Sequence, residues 1–185
     1  MKVVETPLEG AVELQPQVFG DDRGYFMETW NQSRFAAAGI PFQFVQANVS
    51  RSARGVLRGL HYQYPNPQGK LVWVLEGQVF DVAVDIRKGS PQFGQWHGVI
   101  LDAEKKNQFY VPAGFAHGFC VLSESALFSY LCTTEYDADA DASIAWDDPE
   151  IGVKWPISTP SLSAKDAAAP PLAAISADRL PAVGP

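Results

Sequence analysis

Along this chain apolar residues come in short or alternating runs separated by turn residues. The runs cover Phe42 to Val49, Leu71 to Leu75, Val79 to Ile86, Gly98 to Leu101, Phe109 to Val111, Gly118 to Leu122 and Leu127 to Thr133. Between them stand Pro65-Asn66-Pro67, Glu76-Gly77, Lys88-Gly89-Ser90-Pro91 and Pro112-Ala113-Gly114. Those residue types supply the backbone angles that tight turns need. Short strands at regular spacing with Gly/Pro turns predict an all-β sandwich or barrel. Helices are minor. Asn31 to Ala38 predicts one, stopped by Gly39 and Pro41. Ser163-Ala164-Lys165-Asp166 has capping-box form and leads into an Ala run ended by Pro170 and Pro171.

Length and composition narrow this picture. A chain of 185 residues fits one domain, expected over residues 1–172. The Ala/Pro-rich tail over 173–185 offers little to bury, so it is expected to be loosely held from about Pro170 onward. Apolar residues at 46% and charged residues at 19% suit a packed core and argue against disorder. The 15 Gly and 14 Pro agree with many turns. Cys120 and Cys132 sit in apolar, strand-like runs with no Cys-x-x-Cys spacing, so both read as small buried hydrophobes.

A net charge of −7 excludes a broad basic face for nucleic acid and repels anionic ligands at long range. An anionic substrate would need a local cluster of cations. One exists: Arg51, Arg54, Arg58 and Lys70 lie between Val49 and Leu75 without an acid, whereas Glu135 to Glu150 holds seven acids and no cation. The start, Met1-Lys2-Val3-Val4-Glu5, reaches an acid before any apolar stretch, which is unlike a secretory leader. The most apolar window, Phe109 to Leu122, is interrupted by Pro112, Gly114, His117 and Gly118 and is too short for a bilayer. A cytoplasmic protein that binds neither membrane nor nucleic acid is the expectation.

Candidate chemistry gathers around two histidines. Pro112-Ala113-Gly114-Phe115-Ala116-His117 resembles the second signature of the cupin barrels, whose turn delivers a histidine to the barrel interior. Arg58-Gly59-Leu60-His61-Tyr62-Gln63 stands where the first belongs. Metal-binding cupins read His-x-His followed by Glu, whereas here the pattern is His-x-Gln with no Glu before Glu76. That donor set points away from an Fe, Mn or Zn site and leaves the imidazoles free for proton transfer. His97 matches no motif and reads as a core histidine. Residues 58, 61 and 63 cannot all share one face of a regular strand, so a bulge or bend near Gly59 is expected.

The run Phe19-Gly20-Asp21-Asp22-Arg23-Gly24-Tyr25-Phe26-Met27-Glu28 resembles the opening motif of the dTDP-4-dehydrorhamnose 3,5-epimerase family. The likeness continues through Val56 to Gln63, Phe80 to Arg87, Gly114 to Phe119, Trp155-Pro156 and Leu162 to Asp166, and so spans roughly residues 3–172. It implies a cupin-type jelly roll, usually a homodimer, acting without cofactor on a dTDP-linked 4-keto-6-deoxy sugar. By motif, His61 would be the proton acceptor, Tyr130 the proton donor and Asp166 the carboxylate that orients the histidine. Arg23, Glu28, Gln46, Asn48, Arg58, Lys70, His117 and Lys165 match substrate-binding positions. Asp81 would lie close to the site, and Tyr136 matches the tyrosine stacked on thymine.

Two positions depart from the family pattern: Ala47, where many relatives read Gln-Asp-Asn, and Asp141, where a Glu contact is common. Neither would touch the acid or the base. The implied chemistry is coherent, because a C4 ketone acidifies the hydrogens at C3 and C5 and serves as electron sink. By residue type alone, Tyr130 also reads as a buried strand tyrosine, Asp166 as a helix-capping carboxylate and Tyr136 as a turn aromatic. A related nucleotide-sugar 3-epimerase, 5-epimerase or ketoisomerase shares every motif above. A non-catalytic sugar-nucleotide-binding or metal-binding cupin is the alternative from another class.

Overall fold

The computed structural model describes residues 1–40 and 43–183. Pro41 and Phe42, expected to end a helix and open a strand, lie outside the described residues, as do Gly184 and Pro185. In chain order the elements are β1 (Lys2–Glu5), β2 (Val12–Gln15), β3 (Val18–Asp21), β4 (Gly24–Met27), α1 (Gln32–Ala37), β5 (Gln46–Ala53), β6 (Leu57–Gln63) and β7 (Lys70–Glu76). There follow β8 (Gln78–Asp85), β9 (Trp96–Asp102), β10 (Gln108–Val111), β11 (Phe115–Val121), β12 (Ser125–Cys132), β13 (Asp141–Ser143) and α2 (Ala164–Ala167). Two single 3₁₀ turns close the chain, at Leu172–Ala174 and Ala177–Arg179. Among the described residues no helix is long and apolar enough to cross a membrane.

Every paired strand is antiparallel. One sheet runs β1-β2-β10-β7-β12-β5, a second β13-β6-β11-β8-β9, and β3 and β4 form a hairpin of their own. The two large sheets pack face to face, making a cupin-like jelly roll. Its core interleaves Val72, Val74, Phe109 and Phe128 from the first sheet with Val79, Val99, Phe115 and Phe119 from the second. Burying one such large side chain stabilises by about 1.5–3 kcal/mol, so this interleaving is the principal clamp on the sandwich. Helix α1 seats Phe35 with Leu14, Leu71, Trp73 and Tyr110 on the outer face of the six-stranded sheet. Its N-cap is Asn31, whose side chain accepts the Arg34 N–H.

The outer face of the five-stranded sheet is covered by the chain's end, where the structure departs from expectation. The segment after Pro170 does have apolar surface to bury: Leu172 and Leu180 pack with Leu60, Tyr62, Val82, Val84 and Ile144. The backbone N–H groups of Lys88 and Val183 donate to Pro181 and Lys88 carbonyls, and Leu172 N–H donates to Asp148 at 2.6 Å. Two leucines in register suffice to hold a stretch whose composition suggests a free tail.

The expected bulge is present. On β6 and β11, His61 pairs with His117 and Arg58 with Phe119, so Gly59 and Leu60 together oppose Gly118 alone. Gly59 has φ +124°, and a Cβ there would lie 2.6 Å from the Gly118 Cα. A Cβ on Gly118 would in turn lie 2.7 Å from the Arg58 carbonyl. Only glycine at both positions lets the strands approach so closely. The extra residue shifts the alternation, so Arg58 and His61 face the same cavity.

Candidate active site

Two adjoining cavities of about 180 and 140 Å³ open between the sheets and share His61, Lys70 and Tyr130 as common wall. Together they have the size of a small-molecule site. His61 enters from β6, with Lys70 on β7 and Tyr130 on β12 in the opposing sheet. The cavity therefore has one wall from each sheet.

Behind His61 stands Asp166, its Oδ1 2.5 Å from His61 Nε2. The chain delivers this carboxylate by pairing Ser161 in parallel with Val56, just before β6, and then turning into α2. Ser163 caps that helix, accepting the Asp166 N–H at 3.1 Å. Burial works against ionisation of Asp166, but hydrogen bonds from His61, Ser163 and the Gly59 backbone outweigh it and hold the carboxyl below its ordinary range. An ionised carboxylate only accepts, so His61 Nε2 is the donor in this bond, which in the neutral imidazole leaves Nδ1 as the acceptor.

His117 forms the second such pair, with Nε2 2.9 and 3.0 Å from the two oxygens of Asp81 on β8. The turn that aims it needs Gly114, at φ +90°, because a Cβ there would meet the Arg87 side chain at 2.8 Å. Both members of this pair are buried. Gln63 completes neither pair. Its amide donates to the Asn66 and Glu135 carbonyls and accepts the Asp137 N–H, which ties down the loop before β13. Among the described residues no three His, Cys, Asp or Glu side chains are grouped as a metal site would require.

On the facing wall, burial pushes the Tyr130 hydroxyl above its usual range, with Cys132 adding to the shift and Arg58 opposing it. At neutral pH the phenol keeps its proton. The Lys70 ammonium makes no hydrogen bond or ion pair with another described residue, and burial lowers its pKa against the pull of Cys132, Asp141 and Asp81. An unpaired ammonium in a half-buried wall is a ready donor to a ligand oxygen. Arg58 lines the inner cavity and is steadied by Ser52, whose Oγ accepts from Nε at 3.0 Å.

The rim is a polar chain. Tyr136 N–H donates to Gln46, whose amide donates to Asn48, whose amide reaches Cys132 Sγ at 3.8 Å. Asp141 accepts from the Tyr136 hydroxyl at 3.1 Å and forms an ion pair with Lys165. The Tyr136 ring itself is exposed. Ala47 lies on the outward face of β5, away from this chain.

Of the residues singled out from sequence, His61, Tyr130, Lys70, Arg58, His117, Gln46, Tyr136, Asp141 and Lys165 line the cavities. Asn48, Asp81 and Asp166 are bonded to them. Arg23 and Glu28 are not brought in. Arg23 pairs with Asp21 on the β3–β4 hairpin, and Glu28 with Arg34 and Asn31 beside α1. His97 is also apart, edge-on to Phe109 and with its pKa lowered by burial. Ser50, Gln68, Phe128 and Cys132 line the cavities without belonging to any motif noted in the sequence. Gln46, Asn48, Ser50 and Ser52 do form a polar alternation along β5, the period-two signal of one face turned to a wet interior.

Fold and cavity define the class: a cupin-like jelly roll with acid–base side chains converging on an inter-sheet pocket. Residues 5–174 match the family model described as dTDP-4-dehydrorhamnose 3,5-epimerase. The dTDP-4-dehydrorhamnose 3,5-epimerase of Salmonella typhimurium is 54% identical over 173 residues, 92% of this chain and 94% of that protein. A dTDP-6-deoxy-D-glucose-3,5-epimerase from Legionella pneumophila, solved with dTDP-4-keto-L-rhamnose, superposes with a TM-score of 0.97 at 50% identity, over 100% of this chain and 99% of that one. A mutant 3'-monoepimerase from Streptomyces bikiniensis, with one histidine changed to asparagine and one tyrosine to phenylalanine, was solved with dTDP. It gives a TM-score of 0.89 at 37% identity, covering 97% and 92%. The chain belongs to the dTDP-4-dehydrorhamnose 3,5-epimerase family and is, with it, an isomerase.

Proposed function

We propose that this protein inverts C3 and C5 of dTDP-4-dehydro-6-deoxy-D-glucose, forming dTDP-4-dehydro-L-rhamnose for dTDP-L-rhamnose synthesis. The observation that carries this reading is the pairing of walls: carboxylate-bound His61 on one sheet, and protonated Tyr130 with unpaired Lys70 on the neighbouring strand of the other. Nδ1 of His61 takes the proton from the carbon next to the C4 ketone, and the electron pair moves onto the ketone oxygen. Lys70 stabilises that oxygen as charge develops. Tyr130 returns a proton from the opposite face, which inverts the carbon, and solvent resets both groups. The ketone is the electron sink, so the reaction calls for no cofactor.

Arg58 suits the diphosphate, since its guanidinium offers planar paired donors. Tyr136 is an exposed ring at the mouth, fit to stack on a thymine. Arg23 and Glu28 enter this reading through a homodimer. Their region carries Phe19, Tyr25 and Phe26, each more than half exposed, on a hairpin that neither sheet covers. Such a surface is suited to pack against a second copy. Sedimentation at micromolar concentration should find a two-chain species, and a fully active single chain contradicts it.

The substrate incubated in D₂O and followed by proton NMR tests the reaction. Deuterium should enter at both C3 and C5 with inversion. In Tyr130→Phe the base still works, so exchange should persist with retained configuration while inverted product falls steeply. Exchange at one carbon only supports a monoepimerase instead. Wild-type inversion rates in Tyr130→Phe place the acid elsewhere.

A further inference from the structure

Asp166 reaches His61 from a helix of four residues, too short to hold itself. A single turn fixes several backbone angles for very few hydrogen bonds, so its place depends on what grips the chain on either side. Before α2, Ser161 N–H donates to the Gly55 carbonyl and Leu57 N–H to the Ser161 carbonyl, at 2.8 and 3.0 Å. After it, the Pro170 carbonyl accepts Ala145 N–H at 2.8 Å, and Leu172 N–H donates to Asp148 Oδ2 at 2.6 Å. Asp148 is buried, and its other oxygen, Oδ1, accepts the N–H groups of Glu150 and Ile151 at 2.8 and 3.2 Å. The proton transfers above make no use of this carboxylate.

We propose that Asp148 is a positioning residue for the reaction: it clamps the far side of the strap that contains α2 and so keeps Asp166 on His61. The inference rests on the His61–Asp166 pair of the epimerase reading above. Ala145 and Asp148 follow closely on β13, and Ile144 between them and that strand exchanges two backbone hydrogen bonds with Leu60, the neighbour of His61. The near side of the strap is bound at Gly55 and Leu57, where β6 begins. Both ends therefore hang from the strand that carries the base, and a slip of either end moves the carboxylate against the imidazole. The bond between them, 2.5 Å long, is lost with a slip of about 1 Å. Leu172 adds apolar burial at the end that Asp148 holds. Asparagine fills the same volume as Asp148 but has one acceptor oxygen where the carboxylate uses two, so Asp148→Asn sets an N–H donor against a donor.

The test measures kcat and KM for dTDP-4-keto-6-deoxy-D-glucose, with epimerisation followed by proton NMR. Asp148→Asn should lower kcat by about 10- to 100-fold, the scale of a misplacement near 1 Å, with KM and dTDP affinity by calorimetry unchanged. In an Asp166→Asn background the same change should cost little, because the carboxylate it places is already gone. Leu172→Ala, which loosens the same end of the strap, should repeat the loss of kcat. Leu180→Ala, at a buried leucine farther along the tail, should lower the melting temperature and leave kcat as it was. This pair of leucine variants decides the question even if Asp148→Asn fails to fold. Wild-type kcat in a folded Asp148→Asn overturns the proposal, as does the same fold-loss with and without the Asp166 carboxylate. Equal kcat losses in Leu172→Ala and Leu180→Ala also overturn it, since they mark a general loosening. Wild-type turnover in Asp166→Asn alone fells the His61–Asp166 reading itself, a separate result.

Discussion

Two histidines face each other across β6 and β11, each bound to a carboxylate, and their surroundings are opposite. His61 has a side chain 33% exposed and borrows its carboxylate from α2, more than a hundred positions later in the chain. His117 has a side chain 8% exposed and takes Asp81 from the adjacent strand. Hydrogen-bond chemistry is alike in the two pairs. Access is not, and access decides which imidazole can exchange a proton with a ligand and solvent. The buried pair ties β8 to β11, and the His117 ring lies 6.3 Å from that of Phe128.

The comparison predicts a division of labour. The largest effect belongs to His61→Asn, which should lower kcat/KM by about 10²–10⁴-fold, the usual loss for one general base. Asparagine still donates to Asp166, so the melting temperature should hardly move. An active His61→Asn variant would erase the distinction between the pairs.

Next in size is the stability cost of His117→Ala. Asp81 is completely buried, and removing its imidazole leaves a carboxylate without that partner, costing about 1–3 kcal/mol or more. Urea unfolding of His117→Ala should show the drop. Unchanged stability would mean that the pair is not what holds β8 and β11 in place.

The smallest effect is a pH dependence. Asp166 titrates below its ordinary value of 3.8 in the fold, so its contribution to stability is complete above that value and is lost as pH falls through the lowered one. The stability gap between wild type and Asp166→Asn should therefore be widest at neutral pH and shrink in acid below about pH 4. A gap that stays constant from pH 7 to pH 3 would show that the carboxylate's charge has no part in it.

Much of this division was legible from residue order, and some was not. The period-two rule exposed the conflict among residues 58, 61 and 63, and Gly59 pointed to the bulge that resolves it. The strands from β7 to β12 follow their apolar runs to within a few residues. β1, β2 and β13 offer at most two adjacent apolar residues and are recognisable only through their partners, whereas the equally short β10 carries Phe-Tyr-Val. The end of the chain departs from its composition for a related reason: Leu172 and Leu180 gain their burial from residues far away in sequence. Phe119 and Phe128 read as core residues and are core residues, and only the closing of the two sheets brings their stacked rings to the edge of the cavity. The hairpin bearing Arg23 enters the sequence reading only as a motif, and nothing in its residues says which surface it meets.

In the proposed reaction exposure, not residue type, makes His61 the base. The direct test is solvent deuterium exchange at C3 and C5 measured side by side in His61→Asn and His117→Asn, with folding checked by circular dichroism. Exchange should vanish in His61→Asn and persist, at reduced rate, in His117→Asn. Normal exchange in His61→Asn, or its complete loss in a well-folded His117→Asn alone, would contradict the account.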